Sequence, residues 1–136
     1  MAKPAPHEEE WLMKIDERAY VLGVVDDDKR VLQSLGDLLE SAGFCVRLFE
    51  SGVAFLQADG MNGIDVLLCD IRMPGVNGVE LLRLVGLRRP HLPVILITAG
   101  GDIDPSKIRG ANYRGTFRKP IDTTALLEAI VAALKS

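Results

Sequence analysis

From Tyr20 onward the chain reads as an α/β domain, a doubly wound sheet of five parallel strands covered by helices. Three observations predict this. Short apolar runs alternate with segments of helical period, and five such pairs can be counted. The run Ile64-Asp-Val-Leu-Leu-Cys69 is continuously apolar after its start, as in a strand buried on both faces. Asp26, Asp27, Asp70, Thr98 and Lys119 stand at the carboxyl ends of runs one, three, four and five, where open parallel sheets hold their ligands.

The first run, Tyr20-Val-Leu-Gly-Val-Val25, ends in Asp26-Asp27-Asp28. Asp28 predicts a helix N-cap and Gly43 the stop, because Val31, Leu32, Leu35, Leu38, Leu39 and Ala42 recur between them on one helical face. Phe44 to Phe49 is the second run, followed by a short helix from about Ser51 that carries Val53, Ala54, Phe55 and Leu56. The third run delivers Asp70 into the loop Arg72-Met73-Pro74-Gly75. Val79, Leu82 and Val85 predict a helix from Gly78 to Leu87, which Arg88-Arg89-Pro90 ends. Leu92 to Ile97 is the fourth run and closes at Thr98. Gly100, Gly101, Pro105 and Gly110 then leave a short, poorly periodic helix around Ser106 to Tyr113. The fifth strand is Gly115-Thr-Phe-Arg118, and a last helix from about Asp122 buries Leu126, Leu127, Ile130, Val131 and Leu134.

At 136 residues the chain has one domain's length. Residues 1–19 read as an N-terminal extension and residues 20–136 as the domain. The extension is polar and turn-prone through Glu8-Glu9-Glu10, and Trp11-Leu12-Met13-Lys14-Ile15 then has the pattern of a short amphipathic helix. With 48% hydrophobic and 26% charged residues the chain is neither disordered nor fibrous, and a net charge of -3 excludes a general nucleic-acid binder. No run of roughly 18 apolar residues is present to span a membrane, and the N-terminus is unlike a signal peptide. Cys45 and Cys69 each sit in an apolar run and read as reduced, structural packing groups, which with the rest places the protein in the cytoplasm. His7 and His91 lack partners at ligand spacing.

Carboxylates gathered at strand ends raise each other's pKa unless a cation neutralises them, and oxygen ligands of this kind suit Mg2+. A carboxylate left beside the ion can attack phosphorus and form an aspartyl phosphate, with the ion and a lysine offsetting the charge on the transferred group. Thr98 would donate to a phosphoryl oxygen.

Val24-Val25-Asp26-Asp27-Asp28, Cys69-Asp70-Ile71-Arg72-Met73-Pro74-Gly75 with Asn77-Gly78 and Glu80-Leu81-Leu82, Ile97-Thr98-Ala99 and Arg118-Lys119-Pro120 together resemble the receiver domain of two-component response regulators. The Asp-Ile-Arg-Met-Pro-Gly form most resembles the nitrogen-fixation transcriptional regulator subfamily, and the match runs from about Tyr20 to Leu134. The resemblance implies a flavodoxin-like strand order 2-1-3-4-5. It also implies Asp70 as phosphoacceptor, Asp27 as direct Mg2+ ligand, Asp26 as a ligand mainly through water, and the Arg72 carbonyl as the remaining protein contact. Thr98 would bind the phosphoryl oxygens, Lys119 would pair with the phosphoryl group or with Asp70, and the Lys119-Pro120 bond is expected cis. A sensor histidine kinase or phosphotransfer protein would supply the phosphoryl group, and a downstream protein or a second copy would read the result. The modification is the domain's own, with slow self-dephosphorylation, rather than enzymatic turnover.

The pattern departs in two places. The segment from Asp104 to Arg114 is punctuated by glycine and proline where the family has a regular fourth helix, so a divergent fourth helix is expected. An aromatic residue usually stands three positions before the lysine and reports phosphorylation, whereas here Thr116 stands there beside Phe117. From Arg83 to Lys119 there are eight basic and two acidic residues, so this half is either a docking surface for an acidic partner or a solvated rim. Nucleic-acid binding by this patch lacks a recognition helix or aromatic platform. Two other functions compete. An aspartate-nucleophile phosphatase would need a second carboxylate two residues after Asp70, where Arg72 stands, and a phosphorylation-independent binding module would have no need of the acidic cluster. The chain ends after its last helix, which reads as a stand-alone receiver, or as a fragment cut before an output domain.

Overall fold

The structure is a computed structural model and describes residues 19–100 and 104–135. The extension with Trp11, Leu12 and Ile15 therefore lies outside the described residues. The elements follow in the expected alternation: β1 (Val21–Val25), α1 (Lys29–Ser41), β2 (Cys45–Phe49), α2 (Gly52–Gln57), β3 (Val66–Asp70), α3 (Gly78–Arg88), β4 (Val94–Thr98), a 3-10 turn (Pro105–Lys107), β5 (Tyr113–Arg118) and α4 (Thr123–Lys135). The strands form one parallel sheet in the order β2-β1-β3-β4-β5. The chain order reverses at β1, so the carboxyl ends of β1 and β3 flank a crevice.

Side-chain alternation along the strands divides the interior in two. Val66 and Leu68 of β3 and Ile95 and Ile97 of β4 face α1 and α4, joining Leu32, Leu35, Leu39, Leu126 and Ile130. Leu67, Cys69, Val94 and Leu96 face the other way, against Phe55 of α2 and Leu81, Leu82 and Val85 of α3. All of β3 and β4 is buried, and each aliphatic side chain removed from water contributes about 1.5–3 kcal/mol before the entropy of ordering it.

The helix ends obey local chemistry. Asp28 caps α1 by accepting from the amides of Arg30 and Val31, and Ser51 caps α2 by accepting from Ala54. At α3 the Asn77 side chain accepts from the Glu80 amide while Glu80 reaches back to the Asn77 amide, a reciprocal capping box. Gly78 permits the approach of α3 to β3, since a Cβ there would lie 2.5 Å from the Asp70 carbonyl oxygen.

Two expectations are corrected. The stretch Ser106 to Tyr113 forms no α-helix: a single 3-10 turn ends at Lys107, and Tyr113 already belongs to β5. Gly110 in the middle of that stretch leaves it too little propensity, and its apolar positions are too few to hold a helix against the sheet. Cys45 is exposed rather than packed, because it opens β2 at the sheet's edge, whereas Cys69 on β3 is fully buried; both are free thiols. Among the described residues no helix is long and apolar enough to cross a membrane.

Candidate functional site

Because β1 and β3 are hydrogen-bonded neighbours, Asp26, Asp27 and Asp70 meet as soon as the sheet forms. Their carboxylate oxygens can all lie within 4.8 Å of one another. Asp26 and Asp70 are buried, Asp27 is exposed, and the opening faces solvent at the carboxyl ends of the strands. Asp26 turns one oxygen inward along the chain, accepting from the Asp28 amide at 2.9 Å. Its other oxygen, Oδ2, lies 3.0 Å from the Lys119 ammonium.

Lys119 arrives from β5. Its amide donates to the Thr98 carbonyl at 2.7 Å, which ties the end of β5 to the end of β4, and the Lys119-Pro120 bond is cis as expected. Nζ sits 3.7 Å from Asp70 Oδ2, so its nearer partner is Asp26. Burial by itself would lower the Lys119 ammonium, but the hydrogen bond and charge of Asp26, then the charges of Asp70 and Asp28, hold it above its usual range.

Asp70 has the opposite environment. Burial, then the charge of Asp26, raises its carboxyl from the ordinary 3.8 to about 6; Lys119 opposes this, Asp27 adds to it, and the amide of Arg72 donates to the carboxylate and lowers it. The neighbouring Cys69 thiol is pushed well up by burial and then by Asp70 and Asp26, so it is no competing nucleophile. Thr98 is buried beside the site, and its Oγ1 accepts from the Gly100 amide at 3.1 Å. Arg72 is exposed on the loop that leaves Asp70.

The cluster suits a small hard cation. Three carboxylates converge with one ammonium to offset them, the donors are oxygens, and one carboxylate is open to water. Asp26, Asp27 and Asp70 would hold the ion.

Residues away from the cluster are also informative. Thr116 is exposed on β5, and its Oγ1 hydrogen-bonds the Tyr113 hydroxyl at 2.5 Å. A bulge makes this contact: β5 spends Tyr113 to Thr116 against Val94 to Leu96 of β4, one residue more than its partner, with Gly115 at φ 112°. The extra residue puts Tyr113 and Thr116 on one face. Sequence reasoning missed Tyr113 by ending a helix there, although Gly115 inside a strand signals a bulge. His91 is exposed, and His7 lies outside the described residues.

A five-stranded parallel sheet in this strand order, with an acidic pocket at its carboxyl edge, defines a flavodoxin-like α/β module. The chain belongs to the response regulator receiver domain family, whose pattern matches residues 22–131. It is 37% identical over 115 residues to the transcriptional regulatory protein FixJ of Azorhizobium caulinodans, covering 82% of this chain and 53% of FixJ. Against the response regulator protein TodT of Pseudomonas putida it is 35% identical over 126 residues, covering 91% of this chain and 55% of TodT. The crystal structure of FixJ-N superposes with a TM-score of 0.75 at 36% identity, covering 87% of this chain and 95% of that one. The chain thus spans about half the length of these two curated relatives.

Proposed function

We propose that the chain is the phosphoryl-accepting switch of a two-component phosphorelay. Asp70 takes a phosphoryl group from the phosphohistidine of a sensor histidine kinase or phosphotransfer protein in the cytoplasm. The modification then alters a surface read by a downstream protein or a second copy. The convergence of Asp26, Asp27, Asp70 and Lys119 on one strand-end pocket carries this reading.

In the transfer a carboxylate oxygen of Asp70 forms a bond to phosphorus while the phosphorus–nitrogen bond of the donor breaks, and the imidazole leaves with the electron pair. Bound Mg2+ would offset charge on the phosphoryl oxygens. Lys119 exchanges part of its pairing with Asp26 and Asp70 for the new anion, which replaces one carboxylate charge with up to two phosphoryl charges. The Thr98 hydroxyl donates to a phosphoryl oxygen while its own oxygen keeps the Gly100 amide. Buried strand ends hold these groups in place before the donor arrives, so little reorganisation accompanies transfer.

Intact mass after incubation with acetyl phosphate and Mg2+ tests the reading. The expected result is the gain of one phosphoryl group, absent in Asp70→Asn and absent with a chelator. A folded protein that gains nothing would overturn it in favour of a phosphorylation-independent receiver-like module.

A further inference from the structure

The sheet is covered unequally. On one face α1 and α4 lie across it; on the other α2 and α3 pack on β1, β3 and β4, and beyond α3, among the described residues, the chain adds only the 3-10 turn before β5. Thr116 and Arg118 of β5 face that second side, as Leu96 beside Thr116 shows by belonging to its core, and both are exposed. The flank of α3 that borders this gap is identifiable. Val79 lines a cleft of about 690 Å³ with Asp104 and Lys107, and a Cβ on Gly86 would lie 3.4 Å from Asn112 Oδ1. Arg83, four residues after Val79 and three before Gly86, occupies the same flank. One turn further on, Leu87 is 71% exposed, the most open large apolar side chain among the described residues. Arg83, Lys107 and Arg118 form no ion pair with any described carboxylate.

Arg83 stands one turn from the exposed Leu87 and Lys107 lies by the start of the same helix, so the face offers an apolar site followed by cations, which calls for an acidic segment with an apolar neighbour. We propose that residues 8–15 of this chain, Glu8-Glu9-Glu10-Trp11-Leu12-Met13-Lys14-Ile15, dock on this face in cis. The carboxylates of Glu8 to Glu10 meet Arg83 and Lys107, and the apolar side of Trp11 to Ile15 covers Leu87 and Ile108. Both the order and the reach agree. The extension enters β1 at Val21, at the amino-terminal end of the strands, and α3 runs back toward that same end, so Leu87 is met before Arg83 and Lys107 by a chain leaving β1. From residue 19 back to Trp11 an extended chain spans about 26 Å, whereas β1 and β5 are three strand spacings apart, about 14 Å. Exposed ion pairs are individually weak, so the apolar contact supplies the hold, the charges set the register, and the tether supplies the concentration.

Trp11 is the chain's single tryptophan and reports directly. In dilute full-length protein its emission is expected to be blue-shifted and its quenching by acrylamide several-fold weaker than in a peptide of residues 1–18. Both effects are expected to fall in Leu87→Ser and in Arg83→Glu/Lys107→Glu. Reversing Glu8, Glu9 and Glu10 to Lys in the second variant is expected to restore them, which a variant that merely loses its fold cannot do. Trp11 as open to quencher as the peptide overturns the proposal. Protection that rises with protein concentration overturns it in favour of docking on a second copy, and protection indifferent to both sets of substitutions places the segment elsewhere.

Discussion

At the scale of single residues the site is a balance among four charges. Burial, then the charge of Asp26, raises Asp70 to about 6, and Lys119, which lies nearer Asp26 than Asp70, offsets that rise only in part. A carboxyl whose folded value lies above its ordinary value stabilises the fold when protonated, and that contribution is lost as pH rises through the folded value. Asp70→Asn, in metal-free buffer, is therefore expected to be more stable than the parent at pH 7. After allowance for solvent screening the gain is about 1–2 kcal/mol, closing below about pH 4, and urea titrations at pH 4 to 8 measure it. The identities of these residues were legible from their places at the ends of apolar runs. Their pairing was not, because which oxygen lies nearest an ammonium depends on the path of β5, and a one-residue bulge at Gly115 sets that path.

At the scale of elements, legibility tracked how local the determining physics is. Asp28 and Gly43 bracket α1 because capping is a property of a few consecutive residues, and the same chemistry at Asn77 and Glu80 starts α3. Asn77→Ala removes the side-chain acceptor for the Glu80 amide and is expected to cost about 1 kcal/mol. That loss reads as a Tm lower by about 3–4 °C in thermal unfolding followed by circular dichroism. Cys45 shows the limit: Phe44-Cys45-Val46 is as apolar in sequence as Leu67-Leu68-Cys69, and only the strand order makes one an edge and the other a centre. The segment around Ser106 to Tyr113 fails for a related reason, since glycine there is compatible with a weak helix, a turn or a bulged strand, and pairing with β4 decides.

At the scale of the whole molecule, every strand pairing joins distant stretches of chain: Val21 with Cys45, Leu22 with Val66, Leu67 with Val94 and Val94 with Tyr113. Among the described residues no hairpin brings two strands together cheaply, so folding is expected to be slow for the chain's size, each contact waiting on closure of a long loop. The pocket draws one residue or more from the ends of β1, β3, β4 and β5, and so from sequence spanning Asp26 to Lys119. No shorter piece contains it. The fraction of molecules able to accept a phosphoryl group in urea is accordingly expected to fall along the same curve as the helical circular dichroism signal. A pocket lost at lower urea would show that the strand ends loosen as a separate unit. On the proposed function, a nascent chain emerging from the ribosome therefore gains the ability to accept a phosphoryl group only once β5 has emerged and paired, and a half-made copy stays silent.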